Sequence, residues 1–263
     1  RLSGLLTSTL IDGKSIAENR LDELQRRNEE SGRTPSLHVI FVGEDEASES
    51  YIRMKEEKAE RVGMNAEVHH FPADATPDDV RGRIRDLNED PDADGIIVQL
   101  PLPDSFDENE LLETVSPEKD VDGLHPVNFG KLLGASEPHF YPPTPKGIMT
   151  LLEEYDVELE GAVVALVGMG RLVGRPLSQM LLNERSTVLC LNKYTPDLAE
   201  QTRRADILVA GAGVPELVQE EHVEPGTVVI DAGIHRQDGE LVGDVAFEEV
   251  AEVARLITPV PGG

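Results

Sequence analysis

The sequence predicts two α/β domains, each built around a parallel sheet. Three observations carry that reading. The run Val163-Val164-Ala165-Leu166-Val167 is unbroken and apolar, as a strand buried on both faces must be. Short β-like runs and amphipathic helical stretches alternate along the whole chain, an order that gives parallel pairing. Between them the segment YPPTP, residues 141–145, interrupts any regular element and marks the boundary between a domain at 1–141 and one at 142–263.

In order, residues 12–30 read as a helix with Ile16, Leu21 and Leu24 turned inward, and Ser36–Val42 as a buried strand. A helical stretch follows and closes at Gly63, then a strand at Asn65–Phe71. Thr76-Pro77-Asp78-Asp79 opens another helix, with a capping hydroxyl and proline at its first position. Asp94–Leu100 is a third strand, and 107–115 a short helix. The second domain reads as a helix at 146–155, a strand at 161–168, a helix at 174–184 and a strand at 187–192. A helix at 195–203 follows, then strands at 206–210, 227–231 and 255–258. The expected picture is two α/β domains with a cleft between them, ligands lying beyond the carboxyl ends of the strands.

The strand at 161–168 runs into Gly168-Met169-Gly170-Arg171, then Gly174 and Pro176. A strand, a glycine-rich turn and a helix start form an anion site, because free backbone N–H groups and the positive helix end face the ligand. The expected guest is the pyrophosphate of a dinucleotide. The spacing is one residue longer than the usual fingerprint. At the end of the next strand stands Asn192-Lys193-Tyr194, with no acid to hold a ribose diol. Lys193 and Arg171 are placed to meet a 2′-phosphate, which favours NADP over NAD.

Composition narrows the partners. The 263 residues carry 51 acidic against 24 basic side chains, a formal charge of −27, spread along the chain. Such a charge argues against nucleic acid and anionic membranes. Its self-repulsion fades in concentrated salt, where the Debye length falls to about 3 Å at 1 M, so a salt-loving organism is expected. No apolar run approaches the ~18 residues of a membrane helix, and no secretory leader pattern opens the sequence as given. The single cysteine, Cys190, lies in the apolar run TVLCL and reads as a buried core thiol. A reducing cytoplasm fits. The seven histidines form no ligand pattern, and no metal site is expected.

Candidate chemistry clusters in the first domain. Tyr51 and Lys55 are four residues apart on a helix and share a face. A lysine withdrawn from water has a lowered pKa and can move protons near neutrality, and a tyrosine ring beside it suits a flat substrate. Gln99 ends a strand, where its amide can orient the amine or a substrate carbonyl. Asp120 and Asp122 flank a turn, and either can hold an N–H of a substrate.

Taken together, YIRMK (51–55), VQLPLP (98–103), KDVDGLHP (119–126), PPTPKGI (142–148), GRLVGRP (170–176), DAGI (231–234), GDV (243–245) and TPVPGG (258–263) resemble the bifunctional methylenetetrahydrofolate dehydrogenase/cyclohydrolase family. The likeness covers most of the chain, in the family's order. It implies oxidation of 5,10-methylenetetrahydrofolate by hydride transfer to NADP, then hydrolysis of the methenyl product to 10-formyltetrahydrofolate. It implies a folate-binding catalytic domain followed by a Rossmann-type domain, and a homodimer formed through the latter. By the resemblance, Lys55 is the catalytic lysine, Gln99 the residue that holds and tunes it, and Asp122 the anchor of the pterin. Tyr51 stacks on the folate, and Pro261 and Gly262 line the substrate site. Gly168, Met169, Gly170, Arg171, Lys193 and Ile234 face the cofactor. Cis peptides are implied before Pro101 and Pro261. The departures are Met169 and Gly170, where the family has Arg and Ser, and Asn192-Lys193, where it has His and Ser; acceptance of NAD is the alternative they raise. The family also continues beyond Pro-Gly-Gly into a terminal helix that the sequence as given lacks, so trimmed ends are expected. A single-activity dehydrogenase, another two-domain reductase of shikimate type, or a non-catalytic dinucleotide sensor would share the glycine-rich turn. None of them needs Tyr51, Lys55, Gln99 and Asp122 together.

Overall fold

A computed structural model describes residues 8–237 and 239–263. The chain forms two compact units: Ala17–Tyr141, and Pro142–Gly263 together with the described start of the chain as far as Ile16. The break at Tyr141 falls where the proline-rich segment stands. The first stretch is placed differently from the sequence reading, which assigned it to the first domain. The two-residue strand β1 (Thr9–Leu10) instead pairs with a strand near Leu256, and Ile11 is fully buried in the second unit's core. Two residues are too short to show a β period, so the sequence carried no signal of this return.

Helix α1 (Gly13–Ser31) leads into the first unit. There follow β2 (Ser36–Val42), α2 (Glu46–Arg61), β3 (Asn65–Phe71), α3 (Pro77–Glu89), β4 (Gly95–Val98), α4 (Glu108–Thr114) and α5 (Pro126–Leu133). The sheet is parallel in the order β3-β2-β4. Alternation along β2 sends Ile40 and Val42 to one face, against Val80, Ile84 and Leu87 of α3 and Leu111 and Leu112 of α4. Val39 and Phe41 go to the other, against Ile52 of α2. The caps are local: Asp45 accepts the Ser48 N–H at 2.7 Å and Thr76 accepts that of Asp79 at 3.2 Å. Leu24 does not turn inward; it is 42% exposed, because α1 buries no residue fully and offers only part of one face.

The second unit runs α6 (Pro143–Glu154), β5 (Val163–Val167), α7 (Gly174–Asn183), β6 (Thr187–Leu191), α8 (Leu198–Thr202), β7 (Ile207–Ala210), β8 (Val228–Asp231), β9 (His235–Gln237), β10 (Glu240–Val242), α9 (Phe247–Val250) and β11 (Leu256–Ile257). Its six-stranded sheet has the order β1-β11-β8-β7-β5-β6, parallel throughout, with β9 and β10 as a separate antiparallel hairpin. Val164 and Leu166 pack toward α6 and α7, while Ala165 and Val167 pack on the opposite face with Val250 and Ala254. Both faces of β5 are therefore buried, as its unbroken apolar run requires. Cys190 is exposed, against the sequence reading, because β6 is the edge strand and turns its thiol outward. Helix α5 and the β9–β10 hairpin were not anticipated. Among the described residues no helix is long and apolar enough to cross a membrane.

The order β6-β5-β7-β8 puts the reversal of winding order between β5 and β7, so the crevice there opens at the carboxyl ends of these parallel strands. There Gly168 has φ +107°, and a Cβ on it would overlap the Gly211 carbonyl. Both its dihedral and its contact exclude a side chain. Gly170, by contrast, faces open space. Gly168→Ala is expected to cost at least about 2 kcal/mol and lower the melting temperature by roughly 4–8 °C. Gly170→Ala should leave the melt unchanged, and thermal unfolding of the two variants checks the contrast.

Candidate active site

The catalytic candidates of the first unit meet at the carboxyl end of β4. Lys55 projects from α2, one turn after Tyr51, and its Nζ donates to Gln99 Oε1 at 3.0 Å. Gln99 follows β4 directly, its backbone N–H bound to the Ile40 carbonyl at 2.9 Å. Its own Nε2 donates to the Leu100 carbonyl at 2.8 Å, which fixes the amide with its oxygen toward the lysine. The peptide between Leu100 and Pro101 is cis, as the resemblance implied, and so is that between Val260 and Pro261.

The motif KDVDGLHP divides cleanly between structure and chemistry. Lys119 donates to the carbonyls of Leu87 and Asp90 at 2.8 and 2.6 Å. Asp120 is buried, bridges beside Ile96, and accepts from the His125 N–H and from Asn128 Nδ2, at 2.8 and 2.9 Å. His125 caps α5 through its Nδ1. Among the described residues no such hydrogen bonds hold Asp122, and its charge acts on Lys55.

The electrostatics follow from burial. Withdrawal from water lowers the Lys55 pKa below the ordinary lysine value, and the Asp122 charge only partly opposes this. The same withdrawal raises the Asp122 carboxyl, with Lys55 pulling it down and Asp120 pushing it up. Each group is thus moved toward its neutral form, which makes the pair suited to holding and passing a proton. Tyr51 is 45% exposed and presents its ring to solvent.

The cofactor candidates lie in the second unit. No side chain caps α7, which leaves the start of the helix open to an anion. Gly168 and Gly170 belong to the turn before it. The Met169 side chain packs against the Leu166 and Leu177 cluster, so it offers a ligand only backbone. Arg171 is partly buried in the same turn. Lys193 is exposed beyond β6, its Nζ over the Tyr194 ring at 5.1 Å from the centroid. Ile234 is 53% exposed, just past the end of β8. An uncapped helix start, a turn free of side chains at Gly168 and Gly170, and an exposed apolar residue near the next strand end fit a dinucleotide. Pro261 and Gly262 also belong to this unit, where the Gly262 carbonyl accepts the Lys14 N–H at 3.1 Å.

The structure also gathers histidines that the sequence left scattered. His38, Glu67 and His69 share one face of the first sheet. His38 Nδ1 and His69 Nε2 lie 3.0 Å apart, in rings inclined by only 10° with centroids 5.2 Å apart. Those values describe imidazoles facing each other nitrogen to nitrogen across a shared proton. The Arg83 Nε donates to His69 Nδ1, and His38 Nε2 meets the Ser36 hydroxyl. The ligand atoms of His38, Glu67 and His69 all lie within 4.8 Å of one another, a grouping that the sequence reading, which found no ligand pattern among the histidines, did not expect.

Residues 11–122 match the family described as tetrahydrofolate dehydrogenase/cyclohydrolase, catalytic domain, and residues 142–263 match its NAD(P)-binding domain. A bifunctional protein FolD of Halothermothrix orenii is 46% identical over 97% of this chain and 91% of its own. The crystal structure of the bifunctional enzyme FolD from Campylobacter jejuni superposes with a TM-score of 0.95 at 40% identity, covering 97% of this chain and 92% of the other. That of Trypanosoma brucei, described as complexed with NADP cofactor and inhibitor, gives 0.92 at 35% identity, covering 97% and 91%. With both of its domains matched over most of their length, the chain belongs to the tetrahydrofolate dehydrogenase/cyclohydrolase family.

Proposed function

We propose that the protein oxidises 5,10-methylenetetrahydrofolate to the 5,10-methenyl form with NADP and hydrolyses the product to 10-formyltetrahydrofolate, in cytoplasmic one-carbon metabolism. The observation that carries this reading is the Lys55–Gln99–Asp122 cluster, a lysine of lowered pKa tied to an oriented amide and a raised carboxyl. The dinucleotide, when bound, accepts the hydride. The chain's own part is to place the substrate and handle protons. Asp122 holds the N–H edge of the pterin and Tyr51 stacks on the flat ring system, while Pro261 and Gly262 are assigned to substrate binding by the resemblance. In hydrolysis, neutral Lys55 takes a proton from the water that attacks the methenyl carbon. As the bond from that carbon to N5 breaks, Lys55 gives the proton to N5, the carbinol hydroxyl loses its remaining proton to solvent to become the formyl oxygen, and Gln99 keeps the amine aimed. Gly168, Met169, Gly170, Arg171 and Ile234 hold the cofactor, and Lys193 meets the 2′-phosphate.

The domains are assigned as 1–141 for catalysis and 142–263 for the dinucleotide, with the start of the chain contributing β1 to the second. A homodimer through the second unit is part of the proposal; the outer edge of β6, with Cys190 exposed, supports it. So is a high-salt cytoplasm, supported by the charge of −27. NAD is the second cofactor reading, favoured by Met169 and Gly170 standing where the family has Arg and Ser.

Absorbance in high salt, with methylenetetrahydrofolate and either dinucleotide, tests the whole. Reduced nicotinamide should form faster with NADP, and methenyltetrahydrofolate should decay faster than it does without protein. Turnover with NAD alone would overturn the cofactor assignment, and none with either would overturn the activity. Lys55→Ala should lower the cyclohydrolase rate about 10²–10⁴-fold while the melt persists. In the wild type that rate should rise with pH, because the neutral amine is the base, with a midpoint below the ~10.4 of a free lysine. On the acid side the rate should be lost as pH falls, with a midpoint above the ~3.9 of a free aspartate, because burial raises the Asp122 carboxyl. Lys193→Ala should raise KM for NADP more than for NAD, as steady-state kinetics will read.

A further inference from the structure

The motifs DAGI and GDV belong to neither the lysine cluster nor the glycine-rich turn, yet the fold joins them. Asp231 ends β8 and Asp244 follows the β9–β10 hairpin. Asp244 is fully buried, and three donors surround its carboxylate. Oδ2 accepts the N–H groups of Ala212 and Gly213, at 2.6 and 2.8 Å. Oδ1 meets His235 Nε2 at 2.7 Å. Asp231 answers in kind, accepting from the N–H groups of Gly233, Asp244 and Val245 at 2.9, 3.0 and 3.0 Å. A Cβ on Gly233 would overlap the Asp244 carboxylate, so that glycine is set by the contact.

The segments these carboxylates hold have a common address. Gly211-Ala212-Gly213 leaves the carboxyl end of β7, and its first carbonyl lies against Gly168 of the glycine-rich turn. Gly233-Ile234-His235 leaves the carboxyl end of the neighbouring strand β8 and carries the exposed Ile234. These two ends flank the winding reversal on the side away from β6, where the half of a dinucleotide remote from the adenosine must lie.

We propose that Asp244 is a positioning residue for the nicotinamide half of the dinucleotide site, its carboxylate fixing the 211–213 backbone directly and the Ile234 segment through His235. The inference rests on the reading that this unit binds a dinucleotide. An ionised acceptor suits the role because one group must take two backbone donors and a third from an imidazole. A neutral amide has a single acceptor oxygen and would need His235 to change tautomer and accept from it. His235 donates from Nε2 in the wild type and is itself partly exposed, so it links the buried carboxylate to the rim of the site.

The chain has no tryptophan, so the fluorescence of a bound reduced dinucleotide can be followed without that background. The full chain, Asp244→Asn and Asp244→Ala are titrated with NADPH and NADH, and the cyclohydrolase rate is measured on preformed methenyltetrahydrofolate. Asp244→Ala should raise Kd at least about tenfold and Asp244→Asn about three- to fivefold, with cyclohydrolase kept within about twofold of wild type in both. His235→Gln should fall between the Asn variant and wild type. An unchanged Kd in either Asp244 variant overturns the proposal, as does a parallel loss of both activities in the Asn variant. If Asp244→Ala fails to fold, the Asn and His235 variants decide on the same criteria. A wild-type protein that binds neither dinucleotide would instead overturn the reading on which the proposal rests.

Discussion

The first unit is arranged around one unfavourable fact, a lysine amine drawn out of water. An ammonium without partners in such a place costs several kcal/mol, and the usual outcome is a shift toward neutrality. Among the described residues Lys55 has as partners an amide oxygen at 3.0 Å and a carboxylate that is itself desolvated. The partners therefore steady the amine without restoring an ordinary pKa. Everything that places them is rigid. Gln99 hangs on the last pairing of β4 with β2, Lys55 on a helix packed through Ile52, and Asp122 on a segment bridged to β4 and anchored by Asp120.

The second unit solves a different problem, that of holding bare backbone in shape. Gly168 lies against the Gly211 carbonyl where two strands end, and no side chain fits at Gly168. Further along the same edge the turns are held by carboxylates instead of by packing: Asp231 takes backbone donors from Asp244 and Val245, and Asp244 takes them from Ala212 and Gly213. Burial raises the Asp231 carboxyl despite its three N–H donors.

Much of this was legible in the chain. Strands with long apolar runs, helices with capping residues and the proline break at 141–145 were all readable, because their signals are local. What was missed depends on distance. The pairing of β1 with β11 joins residues nearly 250 apart, with two residues to announce it. The exposure of Cys190 depends on which strand lies at the edge, and a run such as TVLCL reads alike at edge and centre. Among the site residues, Lys55, Gln99 and Asp122 were named through the motifs and the resemblance, whereas spacing alone left Asp120 and Asp122 alike, and the structural tie of Asp120 to His125 and Asn128 emerges only from the fold. His38 and His69 become a pair through the register of β2 with β3, and Asp244 reaches Ala212 across 32 residues; no spacing rule would find either.

The claim on which the account turns is that Lys55 titrates apart from the other lysines. The chain has only seven, so a titration of their side-chain nitrogens by NMR, with isotope-labelled lysine, resolves the question directly. One resonance should titrate below the other six and vanish in Lys55→Ala. Seven resonances titrating together near the free value of about 10.4 would contradict the account.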